Sequence, residues 1–242
     1  MSEHFNDLGQ AIGFPMKYWE ACAHPATARL DGRLCRLEPI DVEKHADDLF
    51  AAFATDLDHQ NWTYLPYGPF ADKSAFASWM TITCLGDDPC FFAIVDRASE
   101  KVVGMASYLR IVPAQGVVEV GHIHFSPLMQ GKPISTEAMY LMMKYVFDDL
   151  EYRRYEWKCD SLNGPSCAAA QRLGFAFEGI FRQALMYKQR NRDTSWYSII
   201  DSEWPLVKQA FEVWLDPANF NMQGEQKMRL SESMRSARDS LR

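Results

Sequence analysis

The sequence lacks the features that would place it in a membrane or give it structural disulfides. No apolar run approaches the roughly 20 residues of a membrane-spanning helix, and the first residues have no basic segment followed by an apolar one. Its six cysteines form neither a CxxC pair nor a Cys/His zinc spacing. We therefore expect a cytoplasmic protein with reduced cysteines, no membrane association and no metal.

An excess of positive charge and an internal repeat are also missing. The chain has 25 Lys and Arg against 32 Asp and Glu, a net charge of -7, so no overall positive field attracts nucleic acid. Its 242 residues fit one large domain with extensions. Residues 221–242 carry a local basic excess, which predicts a solvated or partner-bound helical tail rather than a nucleic-acid arm.

Periodicity divides the chain into three parts. Gly and Pro interrupt residues 1–32, which predicts an irregular N-terminal arm. Residues 33–205 form the predicted domain, and residues 206–242 the predicted helical and polar tail. Within the domain the order is strand, two helices, three β-rich runs, helix, strand, short helix and two strands. The three runs, at 91–96, 102–112 and 117–125, have short connections and are therefore predicted to be an antiparallel meander.

The strand at 153–159 follows the predicted helix 133–150. A strand reached through one helix is expected to lie parallel to its predecessor, here 117–125. The last two strands are predicted at 179–189 and 194–203, with residues 190–193 as the turn between them. That turn is either solvated or lies over a pocket.

An aromatic segment, residues 61–70, contains too much Pro and Gly for a helix. It is either a hydrophobic plug over the core or a wall that faces a substrate. In the second case Trp62, Tyr64 and Tyr67 are the candidate substrate-binding residues.

Three segments carry a family resemblance. They are Gln130-Gly131-Lys132-Pro133 at a strand-to-helix junction, Asn163-Gly164-Pro165-Ser166 followed by Gln171-Arg172-Leu173-Gly174-Phe175, and the strand 118–125. With the order of elements, they make residues 33–205 resemble the GNAT N-acetyltransferases, in particular the branch with the ribosomal-protein alanine N-acetyltransferases. The resemblance implies an α/β fold with a mixed, mostly antiparallel sheet, splayed between its middle strands and flanked by helices. It also implies acetyl-CoA as cosubstrate.

The resemblance further implies which residues bind coenzyme A. The contacts are Ile123, Phe125, Gln130, Gly131, Lys132, Ser135, Thr136, Asn163 and Ser166. A helix N-terminus suits this task because its free N–H groups and its dipole attract phosphate. Pro133 and Ser135 depart from the family's small residues, and Pro133 has no N–H to offer. The alternative to an enzyme is thus a catalytically silent GNAT-fold module that binds an acyl-CoA or a protein.

Amide formation requires a proton acceptor, because an alkyl amine with a pKa near 10.4 is protonated at neutral pH. Glu119 lies eleven residues before Gln130, a spacing that resembles the catalytic glutamate of histone-type GNAT enzymes. His122 and His124 are the other candidate bases; on a regular strand they face away from Glu119, unless a bulge at Gly121 changes this. A structural role for all three is the third interpretation. Ser166 is the candidate proton donor to the departing thiolate.

The expected partners are acetyl-CoA and an amine acceptor. The acceptor is a protein N-terminus, a small metabolite amine, or an amino-sugar or antibiotic amine; the aromatic residues at 62–70 favour a closed pocket for a small ligand. Oligomeric state is not readable, and a homodimer stays an open alternative.

Overall fold

The centre of the molecule is an eight-stranded sheet in a computed structural model that describes residues 4–25 and 28–239. A separate two-stranded hairpin, β1 (His4–Phe5) and β2 (Ala11–Ile12), lies in the N-terminal arm. The strands of the main sheet are β3 (Leu30–Asp31), β4 (Cys35–Pro39), β5 (Cys90–Asp96), β6 (Lys101–Val112), β7 (Val117–Phe125), β8 (Arg154–Asp160), β9 (Ala176–Tyr187) and β10 (Arg190–Ile200). Their order in the sheet is β3-β4-β5-β6-β7-β8-β10-β9.

Only the β7–β8 pair is parallel; every other neighbouring pair in this sheet is antiparallel. The predicted β5-β6-β7 meander is confirmed, and so is the predicted parallel strand after the central helix. The predicted mixed, mostly antiparallel sheet is therefore confirmed.

Helices cover both faces of the sheet. They are α1 (Val42–Phe53), α2 (Lys73–Thr83), α3 (Pro133–Lys144), α4 (Gly164–Arg172), α5 (Trp204–Leu215) and α6 (Leu230–Asp239). The predicted central helix ends six residues early as an α-helix, because residues Tyr145–Asp149 form a π-helical turn. Among the helices of the described chain, none is long and apolar enough to cross a membrane.

Two hydrophobic cores lie on opposite faces of the sheet. The larger core holds the buried residues of α3, α5 and α6, such as Met142 and Phe211. The smaller core lies under α1 and α2, around Phe53 and Phe76. Alternation along β5 divides its residues between the two, with Phe92 in the larger and Phe91 in the smaller core.

The segment predicted as a helical and polar tail is helical and packs on the domain. Trp204 and Phe211 of α5 are buried in the larger core. Leu230 and Met234 of α6 join them there, with exposures of 1% and 8%. The C-terminal helices therefore help to build the domain, and only residues 240–242 of this segment lie outside the described part.

The predicted turn at 190–193 is wrong. The two turn residues are Lys188 and Gln189, both with positive φ, 46° and 59°. Two successive residues with positive φ match the twist of the flanking strands in a tight hairpin. Residues 190–193 are consequently the first residues of β10.

The β7 and β8 strands separate halfway along their length. Val117–Val120 pair with Arg154–Trp157, and the pairing ends there. Beyond this point β7 continues to pair with β6 only, up to Phe125. The predicted splay between the middle strands is thus confirmed, and it opens a cleft in the sheet.

Candidate active site

The cleft between the separated ends of β7 and β8 has a volume of about 1560 Å³. Residues 119–125 of β7 form one side, and residues 157–160 of β8 form the other. The N-terminal ends of α3 and α4 and the loop 60–66 also line it. This one cleft contains most of the predicted site residues.

The α3 N-terminus has free amides despite Pro133, and one of them belongs to Gly131, which lines the cleft. Gly131 has φ +68°, and no atom lies within 4 Å of the position that a Cβ would occupy there. Pro133 is the first residue of the helix. Within the described chain, the amides of Gly131 and Ile134 donate no hydrogen bond. The first helical position has no intrahelical acceptor for its N–H, so proline there removes nothing the helix uses. This end of the cleft therefore fits a phosphate group.

Gln130 links this loop to β7 and to the aromatic segment. Its Nε2 donates to the Phe125 carbonyl at 2.8 Å and to Asn61 Oδ1 at 2.9 Å. The carbonyl of Phe125, a residue predicted to contact coenzyme A, thus already accepts from a side chain. Lys132 and Ser135 are tied locally, with Lys132 Nζ donating to the Leu128 carbonyl and Ser135 Oγ to the Lys132 carbonyl, both at 2.7 Å.

The start of α4 holds Ser166 against the opposite side of the cleft. Asn163 caps the helix, since its Oδ1 accepts from the Ser166 amide at 3.2 Å. Ser166 Oγ accepts from Trp157 Nε1 at 3.0 Å. Because that bond uses the serine oxygen as an acceptor, the hydroxyl hydrogen is left to be donated. The Trp157–Ser166 contact is not predictable from the sequence, because no local pattern connects the two residues.

Two cysteines lie next to this serine. Cys159 Sγ and Cys167 Sγ are 3.6 Å apart, and both are free thiols. Burial raises the pKa of Cys159 to about 12. Cys159 is therefore a protonated thiol at neutral pH, which does not suit it to act as a nucleophile.

The Glu119 carboxylate is buried between two cations. Arg110 Nη1 lies 2.6 Å from Glu119 Oε2, and Lys158 Nζ lies 3.0 Å from it. Lys158 also contacts Glu156 at 2.7 Å and lies 3.8 Å from the centre of the Trp196 ring. Arg110 and Lys158 were not predicted from the sequence, because nothing local marks them.

A bulge in β7 brings both histidines to the Glu119 face. His122 and Ile123 together stand opposite Ala106 of β6, and His122 has φ 49°. The expected bulge is thus present one residue after Gly121. The prediction for a regular strand, that the histidines face away from Glu119, is corrected because this extra residue reverses the alternation.

The two histidines differ in their surroundings. His122 Nδ1 lies 3.1 Å from the Tyr67 hydroxyl; burial and the nearby Arg110 lower its pKa to about 4. His124 is 1% exposed, stacks on Phe53 with ring centres 3.7 Å apart, and has no hydrogen-bond partner for either ring nitrogen among the described residues. Burial lowers the pKa of His124 to about 3. Both rings are therefore neutral at physiological pH.

Of the three aromatic residues predicted to bind substrate, Tyr64 lines the cleft. Its hydroxyl donates to the Leu162 carbonyl at 3.0 Å. Trp62 is 5% exposed and packs edge-on against Phe53 and His124. The Tyr67 hydroxyl lies within hydrogen-bond distance of His122 Nδ1. Trp62 and Tyr67 therefore pack behind the surface of the cleft, and Tyr64 forms part of that surface.

The β9–β10 hairpin crosses to this aromatic segment. Lys188 Nζ donates to the Trp62 carbonyl and Arg190 Nη2 to the Thr63 carbonyl, both at 2.7 Å. Arg192 lies in the cleft. The hairpin thus closes one end of the cleft, as one of the two interpretations of residues 190–193 expected. In the described residues, no group of three His, Cys, Asp or Glu side chains is arranged to hold a metal ion.

The fold and the cleft define an acetyltransferase. A family model described as an acetyltransferase (GNAT) domain matches residues 34–176, more than half of the 242 residues. The chain belongs to the GNAT family, whose members use acetyl-CoA as acetyl donor, and it is an acetyltransferase. The predicted resemblance is confirmed.

Solved and curated relatives agree with this assignment. A GCN5-related N-acetyltransferase from Brucella melitensis is 48% identical, with a TM-score of 0.89, over 91% of this chain and 100% of that one. The ribosomal-protein-serine acetyltransferase of Escherichia coli (strain K12) is 30% identical over 105 residues, 43% of this chain and 58% of that protein. The microcin C7 self-immunity acetyltransferase, solved with acetyl-CoA and AMP, shares the fold at 21% identity, with a TM-score of 0.58, over 70% of this chain and 93% of that one.

Proposed function

We propose that this protein transfers the acetyl group of acetyl-CoA to an amine by direct attack in a ternary complex. The observation that carries the proposal is the cleft itself. One end presents the free amide of Gly131, and its middle presents Glu119, His122 and Ser166. A fold neighbour that holds acetyl-CoA adds support.

The residues of the cleft fit acetyl-CoA. The α3 N-terminus would hold the pyrophosphate through backbone N–H groups and the helix dipole. Gln130, Lys132 and Ser135 line this end, while Ile123, Phe125 and Asn163 line the path toward Ser166. Thr136, in the first turn of α3, was predicted to bind coenzyme A, but it is buried and does not line the cleft. When bound, acetyl-CoA supplies a thioester, whose carbonyl an amine can attack.

Glu119 is the group that we propose to receive the proton of the acceptor ammonium, directly or through water. Glu119 is 3% exposed and lines the cleft. Arg110 and Lys158 hold the carboxylate in place through ion pairs at 2.6 and 3.0 Å. His122 is the alternative acceptor. His124 is less suited, because its ring is enclosed by Phe53 and Trp62 and has a pKa of about 3.

We propose Ser166 as the proton donor to the departing thiolate. The Trp157 indole fixes its oxygen at 3.0 Å and leaves its hydrogen free. Since a thiolate with a pKa of about 8.5 leaves readily without help, this contribution is smaller than that of the base. The acceptor is an amine of a small molecule or a protein N-terminus; Tyr64 and the β9–β10 hairpin would lie against it.

Calorimetric titration with acetyl-CoA, followed by an amine screen read by mass spectrometry, tests the proposal. We expect micromolar binding. We also expect a product about 42 mass units heavier than the acceptor, because one acetyl group replaces one hydrogen. Binding without any product across protein N-termini, polyamines and amino sugars would favour the silent module. No binding near millimolar concentration would overturn the proposal.

The role of Glu119 has its own test. Glu119→Gln should lower kcat/KM at pH 7 by about 100-fold, a typical loss for a general base, and leave the Kd for acetyl-CoA unchanged. The matched control is Glu156→Gln, since Glu156 shares Lys158 but does not line the cleft. An equal loss in both variants would mean that Glu119 only balances charge.

A further inference from the structure

The outer end of the cleft is built by residues that lie beyond the matched family domain. That domain ends at residue 176, yet Trp214, Phe220 and Gln226 line the same cleft as Gly131 and Lys132. The C-terminal segment therefore adds a wall next to the α3 N-terminus.

This wall is held in place by specific hydrogen bonds. Asn219 Nδ2 donates to the Trp214 carbonyl at 3.0 Å, and Asn219 Oδ1 accepts from the Met228 amide at 2.8 Å. Phe220 and Gln226 form an antiparallel bridge. On the far side of the loop, Leu230 of α6 is 1% exposed in the core. The loop is thus closed at its base and anchored at both ends.

Arg172, the last residue of α4, connects this wall to the α3 N-terminus. Its Nη2 donates to Thr136 Oγ1 in the first turn of α3 at 2.9 Å, and its guanidinium carbon lies 5.5 Å from the centre of the Trp214 ring. Its Nε and Nη1 groups donate to no acceptor in the part of the chain that the structure describes. One arginine and one indole therefore span the distance from the phosphate-binding amides to the C-terminal wall.

Trp214 is a fixed part of this arrangement. Its indole Nε1 donates to Gln226 Oε1 at 2.9 Å, and its ring is only 3% exposed. Phe220 packs edge-on against it, with ring centres 5.2 Å apart, and is itself half-buried. Phe220 is consequently the aromatic ring of this wall that a ligand in the cleft can contact.

We propose that this wall is the binding subsite for the adenosine 3′-phosphate end of coenzyme A. The adenine stacks on Phe220, and the free donors of Arg172 bind phosphate oxygens. Stacking of a base on an aromatic ring and charge-assisted bonds from arginine to phosphate are the interactions that these two side chains supply. The inference rests on the proposed function, because the adenosine end lies here only if the pyrophosphate lies at the α3 N-terminus.

The test compares CoA with S-acetylpantetheine, which lacks the adenosine and its phosphates. Phe220→Ala should weaken CoA binding about tenfold in calorimetry, since stacking of a base on an aromatic ring contributes roughly five- to 150-fold in affinity. Binding of S-acetylpantetheine should not change. Phe220→Leu, which retains apolar packing against Trp214, should lose CoA affinity in the same direction. Met222→Ala is the matched control, because Met222 lies in the same loop and is 99% exposed.

Each outcome decides between the two proposals. If wild-type protein binds CoA and both Phe220 variants bind it equally well, the subsite is wrong and the proposed function stands. Equal weakening for CoA and S-acetylpantetheine would also overturn the subsite, because the effect would then be general. If the wild type binds neither CoA nor S-acetylpantetheine, the proposed function fails and this inference fails with it.

Discussion

The buried imidazole of His124 should make the protein sensitive to mild acid. Its two ring nitrogens have no partner among the described residues, and the ring lies flat on Phe53 with 5° between the planes. Protonation would place a charge among aromatic rings. In the folded state the pKa is therefore lowered from 6.5 to about 3.

The sign and size of the effect follow from linkage. The unfolded chain takes up a proton on this histidine below about pH 6.5, whereas the folded chain does so only near pH 3. Stability is complete above the unfolded pKa and is lost as the pH falls toward the folded one. Between pH 7 and pH 5 the loss from His124 alone is about 2 kcal/mol.

His124→Phe isolates this contribution because it keeps an aromatic ring and removes the titration. Urea unfolding at pH 7 and pH 5, followed by circular dichroism, gives the free energy of unfolding of each protein. We expect the wild type to lose about 2 kcal/mol more than the variant over this interval. The larger phenyl ring shifts the stability of the variant at both pH values and cancels in the comparison, as does the similar contribution of His122. His24→Gln, at an exposed histidine, serves as the control.

A pH dependence that is identical in the wild type and in His124→Phe would refute the reasoning. It would mean that the folded protein accommodates the charged ring, through a proton acceptor or an opening to solvent. His124 would then return as a candidate base.

Two further substitutions test the scaffold of the site. Glu137→Gln should lower the free energy of unfolding by about 2 kcal/mol, because the buried carboxylate accepts from three backbone amides just before and at the start of β4. The control is Glu100→Gln, at an exposed carboxylate, which should leave the free energy of unfolding unchanged in the same urea assay. Gly104→Ala should cost about 1–3 kcal/mol and weaken acetyl-CoA binding, because the new methyl group would lie 2.5 Å from Met129 Sδ and displace the turn before Gln130. Gly86→Ala, with nothing within 4 Å, is the control for it, and unchanged binding in Gly104→Ala would show that the turn adapts.

The parts of the site that the sequence predicts well are those whose geometry is local. Asn163 and Ser166 lie three residues apart at a helix start, so the cap that joins them depends on one turn of chain. The α3 N-terminus is likewise set by the strand-to-helix junction at Gln130–Pro133. The meander follows from connections too short for any other pairing.

The parts that the sequence does not predict depend on partners far along the chain. Trp157 finds Ser166 only because β8 lies under α4, and Arg110 reaches Glu119 across a second bulge in β6. That bulge is held by Asp88, which accepts from the amides of Arg110 and Ile111 at 2.9 and 3.0 Å. No spacing rule connects residue 88 with residue 119, so the sequence does not predict which cations surround Glu119.

One irregularity in β7 accounts for both the shape and the chemistry of the cleft. On a regular strand His122 and His124 would follow Val118 and Val120 into the larger core, where two imidazoles would lack polar partners. The extra residue at His122–Ile123 turns them to the Glu119 face. The same bulge lies just beyond Val120, the last residue that pairs with β8. Because bulges bend the strand that carries them, the residue that gathers the candidate bases also directs β7 away from β8 and opens the space in which they would act.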